Sequence, residues 1–293
     1  SENVKQSIII TIAERKENNL DTPDNDQNRV SGYLNITVSI DGRSLIEFED
    51  TITVVMPIRR EDIQNGQRVI ACRYDESTGR WIPLGGRADI DAENITFRTG
   101  HFSDFAAFET VLSFNDVTAT WAKEPVEILA SRGLINGKKE GVFDPSGNIT
   151  RAECTAIVIR SLYAKPVAKK GTFSDVPFDA WYAEDVETSV ALGIMNGMGN
   201  GRFAPLDNMT REQLAVIAYR LIGFMSRQKL QGVTDYGFID QKDIASYATE
   251  GVNYLASRSI MTGSFGKFSP KAFVTRQEAA VVLYRLLKYL GEL

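Results

Sequence analysis

The sequence predicts a multidomain chain of α and β structure: an N-terminal antiparallel β-sandwich followed by three helix–loop–helix repeats. Three observations carry this. Apolar residues alternate with polar ones in short runs up to about residue 110. From Phe114 the apolar period becomes helical. From the same point the chain repeats itself, with motif arginines 60 and 65 residues apart (211 − 151 and 276 − 211).

In the β half, Leu34, Ile36, Val38 and Ile40 alternate with polar neighbours, and Asp41-Gly42 then supplies a hairpin turn. Further strands are expected at Ile8 to Ala13, Ile52 to Ile58, Val69 to Tyr74 and Ile95 to Phe97. Asn65-Gly66, Ser77-Thr78-Gly79 and Gly85-Gly86 separate them as turns, and Asn18 to Asn28 reads as a long exposed loop. Strands this short and this regularly punctuated suggest a sandwich.

The repeats align through a common order of motifs. Phe114-Asn115-Asp116-Val117 matches Phe173-Ser174-Asp175-Val176 and, more loosely, Phe238-Ile239-Asp240. Trp121, Trp181 and Tyr247 each stand fifteen residues before Asn136, Asn196 and Thr262, which precede Gly137, Gly197 and Gly263. Then come Phe143-Asp144-Pro145, Phe203-Ala204-Pro205 and Phe268-Ser269-Pro270, and last Thr-Arg at 150–151, 210–211 and 275–276. Each repeat reads as a helix, a glycine-containing loop and a second helix, which must stack on its neighbours to bury its apolar face. The domains are set at 1–110, 111–168, 169–232 and 233–293.

Composition narrows the function. A formal net charge of −5 over 293 residues argues against a nucleic-acid surface, which needs a basic footprint. No apolar run approaches the length of a membrane span. Cys72 and Cys154 read as small buried hydrophobes. With one histidine and no CxxC, neither a metal site nor a cofactor is expected. The chain opens at Ser1 with no Met and no signal-type segment, as a mature form or a fragment would.

The Thr-Arg motif divides into two parts. Thr150 with Glu153, Thr210 with Gln213 and Thr275 with Glu278 are capping boxes, which the helix start explains by itself. Arg151, Arg211 and Arg276 sit at the first helical position, where the dipole disfavours a cation by about a few tenths of a kcal/mol. On this reading the fold does not demand them, and an arginine fork beside exposed helix N–H groups is a receptor for a carboxylate.

Phe-x-Asp-Val, the Trp-containing first helix, the Asn-Gly step, the Phe-x-Pro loop and the Thr-Arg-x-Glu helix start together resemble the S-layer homology module, over residues 114–293. The resemblance implies a pseudo-threefold assembly with grooves between adjacent modules. It implies binding of secondary cell-wall polysaccharide, through a pyruvylated N-acetylmannosamine whose ketal carries a carboxylate, and places the binding arginine at Arg151, Arg211 and Arg276. The chain would then be an extracellular protein of a bacterial cell wall or S-layer.

Other candidates are read from the residues. Asp116, Asp175 and Asp240 either cap the first helix of each module or meet sugar hydroxyls. Trp121, Trp181 and Tyr247 are expected in the core rather than as sugar platforms, and Tyr182 is the expected surface aromatic, since the other copies have Ala122 and Ala248 there. Gly137, Gly197 and Gly263 are expected to allow positive φ and close approach of backbone to ligand. Copy three, with Tyr247 and Thr262, departs most from the pattern.

Tyr33 to Glu109 resembles, more weakly, β-sandwich modules of the ZU5 type, through Ile95-Thr96-Phe97 and Gly100-His101-Phe102-Ser103. Some relatives of that type cut themselves between Phe and Ser of such a tripeptide. Here Ser103 would attack the Phe102 carbonyl while His101 takes the proton, whereas the plainer expectation is an intact final strand. The leading functional expectation is non-covalent wall anchoring. An anchor fragment of a surface enzyme lying upstream of Ser1 and a β-domain packing with other S-layer subunits are the alternatives.

Overall fold

A computed structural model describes residues 8–15, 27–163, 166–233 and 235–293. They form two compact units, one running through Leu112 with Ala130–Gly133 and Leu293, the other comprising Ser113–Leu129 and Leu134–Glu292. No helix among the described residues is long and apolar enough to cross a membrane.

The first unit is antiparallel β-structure. Strands β1 (Ile8–Arg15), β3 (Tyr33–Ile40), β10 (Asp104–Thr110), β6 (Val69–Asp75) and β7 (Arg80–Gly85) lie side by side in that order. The short strands β2 (Gln27–Arg29) and β4 (Arg43–Leu45) pair with β10 and β3. A second sheet runs β5 (Glu47–Pro57), β9 (Asn94–His101), β8 (Arg87–Asp89). Alternation decides which side chains face inward: Ile95, Phe97 and Met56 of the smaller sheet pack with Ile36, Val69 and Phe105 of the larger one in a shared core. The sandwich expectation is met.

Local signals behaved unequally. Asp41 and Gly42 both have positive φ (50° and 78°), as a tight two-residue hairpin between β3 and β4 requires. Asn65-Gly66 instead opens a single 3₁₀ turn, with the Asn65 side chain accepting from the Gln67 N–H. Of the loop expected at Asn18 to Asn28, residues 18–26 lie outside the described residues, and Gln27 and Asn28 open β2.

The second unit holds six helices among its described residues, a pair per repeat: α1 (Thr120–Ser131) and α2 (Arg151–Ser161), α3 (Ala183–Ala191) and α4 (Arg211–Ser226), α5 (Thr249–Ser257) and α6 (Arg276–Tyr289). The apolar faces of α2, α4 and α6 meet through Cys154, Val158, Leu214, Leu221, Val282 and Leu286. At the head of these helices the backbone closes a ring. The Ile149 N–H donates to Val274 O, Val274 N–H to Met209 O, and Met209 N–H to Ile149 O, each at 2.9 Å. All three residues are fully buried. This ring is the pseudo-threefold centre.

Both cysteines are free and buried, and burial pushes each thiol up to about 12, which makes them packing groups. All three capping boxes form, with each threonine hydroxyl accepting from the third helical N–H and that residue's side chain accepting from the threonine N–H. Thr210→Ala is expected to cost about 0.5–2 kcal/mol of helical-unit stability. Chemical denaturation followed by the far-ultraviolet helical signal checks this.

Candidate functional site: the junctions between repeats

Each motif arginine crosses to the following repeat. Arg151 Nε–H donates to Phe203 O at 3.0 Å and its Nη2 to Asn196 O at 3.1 Å. Arg276 closes the circle on repeat one, donating to Phe143 O and Asn136 O, both at 2.9 Å. Arg211 reaches Phe268 O at 2.8 Å. Copy three has Thr262 where the others have the asparagine, and the Arg211 guanidinium makes no second bond to backbone among the described residues.

Each guanidinium also lies over a ring of the loop it enters: Arg151 over Phe203 (4.9 Å), Arg211 over Phe268 (5.2 Å) and Arg276 over Phe143 (4.7 Å). Those rings tilt against Phe173, Phe238 and Phe114, with centroids 5.3–5.4 Å apart. The fold therefore does demand the arginines, contrary to the expectation from helix polarity alone. A local penalty at the helix start is outweighed by charge-assisted bonds to another repeat. The fixed spacing of eight residues from each Phe-x-Pro phenylalanine to each arginine (151 − 143, 211 − 203, 276 − 268) was the available sequence signal.

The helix starts are also fully engaged. The Arg151 and Ala152 N–H groups donate to Asp207 O and Pro205 O, those of Arg211 and Glu212 to Ala272 O and Pro270 O, and those of Arg276 and Gln277 to Gly147 O and Pro145 O. With the capping boxes, this satisfies the orphan donors at each start. The expected exposed N–H groups are not there to receive an anion, and the arginines beside them are themselves largely buried.

The aspartates neither cap the first helices nor stand free. Asp116 accepts from the N–H groups of Phe143 (2.9 Å) and Asp144 (2.7 Å), Asp175 from those of Phe203 and Ala204, and Asp240 from those of Phe268 and Ser269. They hold the Phe-x-Pro loops, whose middle residues Asp144, Ala204 and Ser269 take positive φ of 57–61°. Burial pushes these carboxyls up, but the paired backbone N–H groups outweigh it and hold each below the ordinary value of 3.8.

Gly137 and Gly197 do not take positive φ. A Cβ there would stand 2.7 Å from Val142 O and 2.5 Å from the Phe173 ring, so the close approach is to the repeat's own loop. Gly263 alone of the three has positive φ, at 74°.

The aromatics reverse their expected places. Trp121, Trp181 and Tyr247 are 51%, 61% and 59% exposed, whereas Tyr182 is 8% exposed. Trp181 precedes α3, so it stands off the helix's buried face, while Tyr182 turns inward and meets Trp181 edge-on at 5.3 Å. The Tyr247 hydroxyl donates to Glu212, which also accepts from the Ala245 N–H and Lys271.

In the β-unit, Ser103 Oγ donates to Tyr74 O at 2.6 Å, and Ser103 O accepts from the Ile36 N–H. His101 pairs with Glu47 at the end of β9, and the Phe102 N–H donates to Ile46 O. The serine proton is thus directed at a carbonyl, in a segment held by ordinary backbone bonds.

The S-layer homology domain matches residues 113–154, 172–215 and 237–280. The three repeats belong to that family, whose modules anchor surface proteins to the cell wall, and the protein is a wall-associated protein of the cell surface. An amylopullulanase of Thermoanaerobacterium thermosulfurigenes is 33% identical over 94% of this chain and 15% of its own length, so the likeness extends into the β-unit. Exoglucanase XynX of Acetivibrio thermocellus is 36% identical over 77% of the chain and 20% of its own. The surface-layer 125 kDa protein of Lysinibacillus sphaericus is 31% identical over 60% and 15%. The chain spans a small fraction of each relative.

Two outcomes follow. The depressed aspartate pKa values contribute stability that is present above 3.8 and is lost as pH falls through the folded-state values. Replacing Asp116, Asp175 and Asp240 together by Asn should lower stability at neutral pH and flatten its loss below pH 3.8, measured by denaturation across a pH series. On a denaturing gel the purified protein should run as one full-length band, and a fragment ending at Phe102 would establish self-cleavage.

Proposed function

We propose that the junctions between repeats bind secondary cell-wall polysaccharide bearing pyruvylated N-acetylmannosamine, and so fix a larger surface protein to the wall without a covalent bond. The observation that supports this reading best is the cyclic arginine insertion. It brings a cation of fixed geometry to every junction, in repeats that also present a large exposed aromatic at the start of each first helix. A ketal carboxylate suits the guanidinium fork, and an exposed aromatic face suits the apolar side of a sugar ring. Arg151, Arg211 and Arg276 are assigned to the carboxylate and Trp181 to the sugar face. Asp116, Asp175, Asp240, Gly137, Gly197, Gly263 and Tyr182 are assigned to shaping the loops and helix that form the grooves.

The relatives named as an amylopullulanase and an exoglucanase favour a polysaccharide-degrading cargo elsewhere in the polypeptide. The relative named as a surface-layer protein favours other S-layer subunits as partners. In both readings these repeats act as the anchor.

Co-sedimentation with purified wall polysaccharide, before and after removal of its pyruvyl groups, tests the proposal. Wild type should bind only the pyruvylated form, and Trp181→Ala should weaken binding while leaving stability within about 0.5 kcal/mol, as for an exposed side chain. Removing one charged contact by arginine substitution should cost about 1.5–3 kcal/mol of binding, provided the helical signal shows the variant folded. Wild type that ignores both polysaccharides overturns the reading.

A further inference from the structure

We propose that the three junctions are not equivalent, and that the one built on Arg151 is the junction open to a carboxylate-bearing sugar, because Gln213 stands there in place of a glutamate. This rests on the polysaccharide-binding reading above and adds which site acts and why.

The third residue of each second helix has two neighbours. It closes its own capping box, and it faces the arginine arriving from the preceding repeat. Glu153 accepts from the Thr150 N–H through Oε2 at 3.0 Å and takes Arg276 Nη1 on Oε1 at 3.2 Å, with Lys138 on the same oxygen. Glu278 does likewise, with Oε2 on the Thr275 N–H at 2.8 Å and Oε1 3.7 Å from Arg211 Nη1. At two junctions, then, the guanidinium already has an internal carboxylate.

Gln213 breaks the series. Its Oε1 accepts from the Thr210 N–H at 3.1 Å, so its remaining terminal atom is Nε2, a donor, where the glutamates offer an acceptor. No carboxylate oxygen among the described residues lies within 4.0 Å of Arg151, which is 4% exposed. Its Nε and Nη2 are taken by carbonyls, while Nη1 makes no hydrogen bond among the described residues. Asp175 and Asp207 act on Arg151 at longer range, and the Asp175 oxygens are engaged by Phe203, Ala204 and Arg202. The position matching Lys138 is the uncharged Met198.

A buried cation with no carboxylate within 4.0 Å among the described residues therefore stands at the junction where Gln213 occupies the position from which Glu153 and Glu278 meet their arginines. Leaving such a charge unpaired is costly, and an incoming carboxylate would supply the missing acceptor. At the other two junctions the same carboxylate must compete with Glu153 or Glu278.

Gln213→Glu tests this without disturbing the helix start, since glutamate closes the same capping box in the other two repeats. The probe is N-acetylmannosamine carrying a pyruvate ketal, with the neutral sugar as control, titrated by calorimetry. Wild type should bind the ketal sugar at one dominant site, Gln213→Glu should bind it about tenfold or more weakly, and Glu153→Gln should keep the dominant site and strengthen a second. Gln213→Glu binding with wild-type affinity overturns the assignment while leaving the anchoring reading intact. Wild type that sediments with wall polysaccharide but ignores the ketal sugar also overturns the assignment. Wild type that binds neither overturns the anchoring reading itself.

Discussion

The helical unit depends on one exchange: the start of each second helix is completed by the loop of the next repeat. Two helix N–H groups and one arginine from each repeat terminate on backbone carbonyls of its neighbour, and repeat three returns to repeat one. Because the exchange is cyclic, all three loops are finished only when all three helices are present. The small backbone ring of Ile149, Met209 and Val274 has the same property. A repeat of this kind cannot satisfy its own polar groups alone, just as it cannot bury its own apolar face.

This constraint joins structure to binding. The guanidinium proposed to meet an anion is the group that holds two repeats in register, so its position is fixed before any ligand arrives. A phenylalanine ring, one or two backbone carbonyls and an aspartate-clamped loop leave it little freedom, and a receptor already ordered loses little entropy on binding. The same coupling puts the side chains around the arginines at the repeat junctions. Replacing Glu by Gln at the third helical position leaves the cap intact and changes the charge facing the guanidinium. Tyr247 for Trp adds a hydroxyl that Glu212 accepts, which ties the first helix of repeat three to the second helix of repeat two.

Much of this was legible in the sequence because it is local. Strand alternation, the Asp41-Gly42 hairpin, the helical period and the three capping boxes each depend on residues within a few positions of one another, and all appear in the structure. The repeat spacing likewise placed every motif arginine at a helix start. Local rules failed where partners are distant in sequence. Helix polarity made the arginines look unexplained, yet their acceptors lie 45–140 residues away. The aspartates were open between a cap and a sugar contact, and their partners proved to be loop N–H groups about 28 residues on.

The sequence by itself determined the two architectures, the three copies, the starts of their second helices and the family they belong to, since these follow from periodicity, capping chemistry and repeated motifs. Only the tertiary structure decided which face of each motif is spent on assembly. It put Trp181 outside and Tyr182 inside, used Gly137 and Gly197 for packing rather than turning, and filled the helix starts with backbone from a neighbour. The physical reason is closure: when polar groups are satisfied around a ring, a residue's surroundings are set by the next repeat, and no window along one repeat contains that information.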